Sequence, residues 1–125
     1  MKVFNTLSGE KEEFLAQGDE VKMYVCGVTP YDEAHLGHAM SYIIFDVIRR
    51  YLLFHGYKVK YVQNVTDIDD KIIDRANQRG VSIHELVKQY TDSFDEDMRA
   101  LNIMKAETDK YPKATDHIEE IKDVI

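Results

Sequence analysis

A single cysteine, Cys26, leaves no partner for an intrachain disulfide. That fits a reducing compartment, and a cytoplasmic protein is expected. Long apolar runs are missing as well. A membrane span needs roughly 18 uncharged residues, and the longest candidate, Tyr42 to Phe54, is broken by Asp46, Arg49 and Arg50. The start, Met1-Lys2-Val3-Phe4-Asn5, runs into polar and acidic residues and carries no signal-peptide pattern. Positive charge is scarce: 16 basic residues against 23 acidic ones give a net charge of −7. RNA and other polyanions select a basic face, so this chain alone makes a poor nucleic-acid binder. A nucleic-acid partner would be held mostly by another part of the machine. Repeats, low-complexity tracts and internal linkers are absent too.

What is present suits one soluble domain. Hydrophobic residues make up 44% and charged residues 31% of the 125 positions, and a chain of this size buries a modest core. Residues 1–20 read as a short strand at Val3 and Phe4 and a polar turn ending in Gly18-Asp19-Glu20. Val21 to Gly27 alternates apolar and polar, a strand that runs into a loop at Gly27. From Ala39 to Phe54, Ile43, Val47, Ile48, Tyr51 and Leu52 fall at helical spacing, with Gly56 placed as a C-cap. A second alternating strand covers Lys58 to Val65. Strand, helix and strand make a βαβ unit with a parallel pair and a right-handed crossover. A further helix runs to about Arg79 and is closed by Gly80. Ser82 with Glu85 three residues on forms a capping-box signal for a helix reaching roughly Leu101. Thr115 or Asp116 caps a last helix that is still running at Ile125, so the fold is expected to continue past this end. The expected class is α/β: an incomplete Rossmann-like parallel sheet with flanking helices, a βαβ nucleotide-binding unit over 1–80 and a helical segment over 81–125.

In a parallel α/β sheet, ligands sit beyond the carboxyl ends of the strands. Two such ends are rich in polar groups here, Cys26 to His38 and Asn64 to Asp70. Helix amino-termini supply unpaired N–H groups and a positive dipole end, which suit anions. His35 and His38 flank Gly37, where a missing side chain allows close approach. Two imidazoles there can donate hydrogen bonds to phosphate oxygens as charge builds in a transition state. A histidine at a helix start is also an ordinary surface or capping residue, and His-x-x-His also serves as a metal-binding pair. Cys26 reads either as a small buried hydrophobe or as a thiolate facing the ligand site. Zinc there would need three or four protein ligands, and no second cysteine exists. Asp67-Ile68-Asp69-Asp70 reads as a solvated turn and helix start, or as the Mg²⁺-binding nucleophile loop of dehalogenase-type phosphatases. Against the second stand Asp70 and Lys71, where a small or hydroxyl residue and a glycine are usual.

At these residues the chain resembles a known family. Val28-Thr29-Pro30-Tyr31-Asp32-Glu33-Ala34-His35-Leu36-Gly37-His38 is similar to the HIGH signature of class I aminoacyl-tRNA synthetases, with Leu36 in place of isoleucine. Met23 to Gly27, Tyr61 to Ile72, Asn5-Thr6-Leu7 and Ala100-Leu101-Asn102-Ile103 resemble the cysteinyl branch of that class, so the likeness covers essentially the whole chain. The resemblance implies ATP-dependent activation of cysteine to cysteinyl-adenylate and transfer to tRNA(Cys), with ATP, Mg²⁺ and L-cysteine as reactants. His35 and His38 would contact the ATP phosphates. Gly27, Thr29, Gly37, Ser41, Asn64 and Thr66 would line the nucleotide and adenylate pocket, and Cys26 would be one of four zinc ligands. Zinc would select the substrate thiolate over a hydroxyl.

The family's other zinc ligands, its Lys-Met-Ser-Lys-Ser loop and its anticodon-reading helices lie downstream of Ile125. The resemblance therefore implies a half-site in a monomer, with tRNA held by regions outside this chain and no membrane contact. Two rivals remain. One is the related cysteine ligase of mycothiol biosynthesis, and the other is a non-catalytic nucleotide-binding fragment. All of this expects Cys26, His35 and His38 to border one hollow. Cys26 on the far side of the sheet from the histidines would overturn it.

Overall fold

The computed structural model describes residues 1–106 and 111–125. Strands β1 (Lys2–Asn5) and β2 (Glu10–Glu13) form an antiparallel hairpin, with Lys2 opposite Glu13 and Asn5 opposite Glu10. The sequence pattern predicts only one strand and a polar turn here. β2, Glu-Lys-Glu-Glu, is exposed at every position and so has no apolar alternation to betray it. Its pairing rests on the backbone ladder, helped by Asn5 Nδ2 donating to Glu12 at 3.1 Å.

Strands β3 (Glu20–Val28) and β4 (Lys58–Val65) pair in parallel, Val21 beside Val59 and Tyr24 beside Val62. Between them runs α1 (Leu36–Phe54), which completes the expected βαβ unit. Helices α2 (Asp70–Arg79) and α3 (Ile83–Ala100) follow. Last come a 3₁₀ turn at Ala114–His117 and α4 (Ile118–Val124). Of the helical segment read over 81–125, residues 107–110 lie outside the described residues.

Three apolar clusters hold these elements together. Val25, Val28, Tyr61 and Val65 of the sheet meet Tyr42 of α1 and Phe94 and Met98 of α3. Val21 and Val59 meet Leu52. Ile72 and Ala76 of α2 pack on Leu86, Val87 and Tyr90 of α3. Phe94, Ile72 and Leu86 are fully buried, each contributing about 1.5–3 kcal/mol relative to exposure. Strand alternation sends Lys22, Tyr24, Cys26, Lys58, Lys60, Val62 and Asn64 to the opposite face; these are exposed or half-buried.

The apolar stripe of α1 needs correcting. Its buried positions are Tyr42, Arg49 and Leu52, whereas Ile43, Val47, Ile48 and Tyr51 are exposed. The helix is apolar over much of its circumference, so periodicity alone does not choose the face that meets the sheet. Arg49 is buried because its guanidinium lies 5.0 Å over the Tyr61 ring and donates to the Lys105 carbonyl at 2.6 Å and the Met104 carbonyl at 3.3 Å.

Helix ends follow the sequence signals closely. Gly56 is left-handed (φ 82°), and the Tyr57 amide donates back to Leu52 at 3.1 Å, the six-to-one bond that closes a helix. Gly80 closes α2 in the same way. Ser82 and Glu85 form the reciprocal capping box of α3, each backbone amide bonded at 3.2 Å to the other's side chain. Neither Thr115 nor Asp116 caps α4, which has no side-chain cap. Thr115 instead donates through its amide and hydroxyl to the buried carboxylate of Asp67. That ties the segment after residue 110 to the end of β4, where Val65 also donates to the Pro112 carbonyl at 2.9 Å.

Between Val25 and Val28 the parallel register slips, and Gly27 sits in the slip. A Cβ built on Gly27 falls 1.4 Å from the Asn64 carbonyl oxygen, a backbone atom that cannot move aside cheaply. We expect Gly27→Ala to cost at least about 3 kcal/mol, read as a lowered urea midpoint. Gly80→Ala, with open space but positive φ, should cost about 1 kcal/mol. Equal midpoints for the two variants would contradict this packing.

Candidate functional site

The short loop of residues 29–34 joins β3 to α1, so α1 begins at the carboxyl rim of the sheet. His35 is the N-cap of that helix. Its Nδ1 accepts from the Gly37 amide at 3.1 Å, and His38 Nδ1 accepts from the His35 amide at 3.2 Å. Two histidines thus build a reciprocal capping box of the kind Ser and Glu form at α3. Their rings stack, with centroids 4.0 Å apart. Gly37 is required for this arrangement, because a Cβ there would meet the His35 ring at 2.9–3.0 Å.

The cap dictates the tautomers. A ring nitrogen that accepts from a backbone N–H carries no proton, so the network assigns each neutral imidazole its hydrogen on Nε2. Both Nε2–H groups are donors, and neither is consumed by the cap. Desolvation, and then the neighbouring charge of His35, push the His38 pKa below the usual histidine range. Protonating Nδ1 would also break the cap. A pair of neutral donors at a helix amino-terminus favours an anion there. Both readings of the histidines, cap and potential anion donor, are compatible in one geometry. Their Nδ1 atoms are occupied by backbone donors, which argues against the metal-pair reading.

A second set of groups gathers at the ends of β3 and β4. Asn64 Oδ1 accepts from the Gly27 amide at 2.7 Å and from the Tyr24 hydroxyl at 3.0 Å, while its Nδ2 donates to Thr66 Oγ1 at 3.3 Å. The Thr66 amide donates to the Val28 carbonyl at 3.0 Å. Gly27, Asn64 and Thr66, expected to belong to one site, are therefore joined by direct bonds. Thr29 and Ser41 are half-buried, one just after β3 and the other within the first turns of α1. Asp67 is bound to Thr115 and Asp69 caps α2 by accepting from the Lys71 amide at 2.9 Å. The acidic run is thus a turn and helix start, but not a solvated one throughout, since Asp67 is buried.

Cys26 is exposed and follows strand alternation onto the face with Tyr24, away from the face on which α1 packs. The expectation of one hollow shared with the histidines is corrected accordingly. The cavity of about 300 Å³ beside His35 is lined by Ala34, Leu36, Ala39 and the end of α3, and Cys26 does not reach it. What the thiol and the imidazoles share is the rim. The Tyr42 hydroxyl, one turn after His38, donates to the Cys26 carbonyl at 3.3 Å. Burial first, then the nearby Cys26 thiol, push the Tyr42 pKa up to about 12. With Cys26 facing away, the one-hollow reading falls; what the rim keeps is the histidine cap and the bonded set of Gly27, Asn64 and Thr66, whose bonds to one another do not include the Cys26 thiol. Among the described residues, no three His, Cys, Asp or Glu side chains could hold a metal ion together. Cys26 by itself does not make a zinc site.

Sequence reasoning missed Tyr24 and Tyr42, whose hydroxyls tie the rim together, and the anchors of the 29–34 loop. The Tyr31 ring packs on the α2–α3 cluster with Lys71 Nζ 5.5 Å from its centre. Asp32 pairs with Arg75, and Ser93 Oγ donates to Glu33 at 2.5 Å. These partners lie 43 and 60 residues apart in sequence, beyond any local periodicity.

Comparison with known proteins shows the family. The family model for the catalytic domain of class I (C) tRNA synthetases matches residues 13–125. A cysteine–tRNA ligase of Dehalococcoides mccartyi is 55% identical over 100% of this chain and 27% of its own length. That of Salmonella arizonae is 51% identical over 99% of this chain and 27% of its own length. Among solved structures, Mycobacterium tuberculosis methionyl-tRNA synthetase in complex with methionyl-adenylate superposes with a TM-score of 0.71 and 29% identity, covering 83% of this chain and 21% of that one. The chain spans about a quarter of the length of the relatives it matches. On these matches, the chain belongs to the class I (C) tRNA synthetase family, that of the cysteine–tRNA ligases, and represents the amino-terminal part of its catalytic domain.

Proposed function

We propose that this chain supplies the phosphate-binding half of a site that activates cysteine as cysteinyl-adenylate, for transfer to tRNA(Cys), in a cytoplasmic monomer. The observation that carries the reading is the double-histidine cap. It leaves two neutral Nε2–H donors at the positive end of a 19-residue helix, on the rim where ligands of parallel sheets bind. Attack of the amino-acid carboxylate on the α-phosphate of ATP, with the bond to the β-phosphate breaking and pyrophosphate leaving, builds negative charge on the phosphate oxygens. Fixed donors aimed there stabilise the transition state more than the ground state. The work is positioning and charge stabilisation, with no covalent step on the protein. Gly27, Thr29, Ser41, Asn64 and Thr66 line the adenylate side of the same rim. The Asn64 amide, bonded at both ends, keeps the tips of β3 and β4 in a fixed relation. Relatives named cysteine–tRNA ligase, and a methionyl-adenylate complex among the structural neighbours, support this reading. So does the acidic net charge of −7, which suits a half-site that leaves tRNA to other regions.

Zinc belongs to this proposal only as a group whose remaining donors come from outside the chain, with Cys26 as the single contribution. Metal analysis of the purified chain is expected to find well under one zinc per molecule; tight one-to-one binding would refute the half-site. In a full-length cysteine–tRNA ligase that begins with this chain, His38→Ala should slow cysteine-dependent pyrophosphate exchange by about 10²-fold, the usual loss for one transition-state donor. Unchanged exchange kinetics would remove the phosphate role.

The cap also predicts a pH response. Because the folded pKa of His38 lies below its ordinary value of 6.5, the unfolded chain takes up the proton first as pH falls. The stabilisation from the neutral cap is complete above about pH 6.5 and is lost as pH falls through the lowered folded value. An NMR titration of the His38 ring should give a midpoint under 6.5. His38→Gln, which keeps an acceptor but cannot titrate, should flatten the stability profile in that window. A midpoint above the ordinary value would contradict the cap.

A further inference from the structure

We propose that Arg75 and Ser93 are positioning residues: from α2 and α3 they hold Asp32 and Glu33, and so set where the adjoining His35 and His38 present their Nε2–H groups. The inference rests on the phosphate role proposed above and adds to it the device that aims the donors.

The loop at 29–34 has no ladder or helix of its own. Three consecutive side chains nonetheless anchor it on the α2–α3 pair. The half-buried Tyr31 ring lies against the cluster of Ile72, Ala76, Leu86, Val87 and Tyr90. Asp32 Oδ2 accepts from Arg75 Nη2, and its other oxygen accepts from the Glu33 amide at 3.0 Å. Glu33 Oε2 accepts from Ser93 Oγ at 2.5 Å. Only Ala34 separates Glu33 from the histidine cap, so any shift at residues 32 and 33 passes directly into it.

Stability is a poor explanation for these polar contacts. The Arg75 and Asp32 side chains are 36% and 46% exposed, and exposed pairs contribute little to folding. Orientation is a better one. A donor displaced by about 1 Å loses a large part of its effect on a transition state. The apolar Tyr31 contact fixes depth, whereas the ion pair and the hydroxyl contact fix rotation about the loop axis. α2 starts at Asp70, a short turn after the Asn64–Thr66 rim segment. One helical pair therefore references both the histidine loop and the end of β4.

The test uses a full-length cysteine–tRNA ligase that begins with this chain. Arg75→Ala and Ser93→Ala are expected to lower kcat of cysteine-dependent pyrophosphate exchange by about tenfold, with KM for cysteine and the melting temperature nearly unchanged. Arg75→Lys, which keeps the charge within reach of Asp32, should recover most of the loss. Hydrogen exchange of the peptide covering residues 29–38 should quicken in Arg75→Ala while β3 and β4 stay protected. Alanine variants with wild-type kcat would overturn the proposal. So would a lysine variant no better than alanine, or a loss shared equally by melting temperature and KM. If His35→Ala and His38→Ala exchange pyrophosphate like wild type, the phosphate role fails instead. Hydrogen exchange then still decides this inference: quickened loop exchange supports it and an unchanged loop refutes it.

Discussion

The Gly27 amide reaches the Asn64 side chain at 2.7 Å only because no Cβ stands between the two strands. Every other feature of the rim depends on this close approach. It accompanies the slip of register between Val25 and Val28 and lets the Asn64 side chain bond the tip of β3 directly. The loop after β3 and the loop after β4 are thereby held side by side. In a sheet whose ligands bind beyond the strand ends, that side-by-side placement makes a site possible at all. A side chain at residue 27 would separate the tips before any chemistry could be shared.

The histidine cap solves a second problem with the same atoms. A helix start leaves backbone donors without partners, and a site for phosphate needs donors that do not drift. Here the Nδ1 acceptors close part of the helix start, and stacking and the bonds themselves hold the two rings in place with Nε2 outside the cap. The cap uses one nitrogen of each ring, so the donor role proposed for the other nitrogen is compatible with it. The α2–α3 pair extends this logic outward, from the cap to the loop and from the loop to anchors 43 and 60 residues away.

Much of this was legible in the residues. The alternating strands, the left-handed glycines that end α1 and α2, and the Ser82–Glu85 box are local signals, each read from a few neighbouring side chains. The His35-Leu36-Gly37-His38 signature and its flanks marked the rim and the family before any geometry was known. The errors are of one kind. β2 was invisible because four exposed polar residues pair through backbone alone. The buried face of α1, with Tyr42, Arg49 and Leu52, was not legible because an apolar residue does not say what will cover it. Thr115 looked like a cap, but it serves Asp67, 48 residues earlier. Cys26 was expected in a hollow with the histidines, and the parity of a strand placed it on the other face.

The sequence by itself determined the βαβ order, the glycine-closed ends of α1 and α2, the start of α3 and the family, because those depend on short-range spacing and on side-chain chemistry. Only the tertiary structure decided which face of α1 is buried, which side of the sheet carries Cys26, which nitrogen of each histidine is free, and which distant residues brace the loop. Those outcomes depend on what packs against what, and contacts between residues far apart in the chain leave no periodic trace in it.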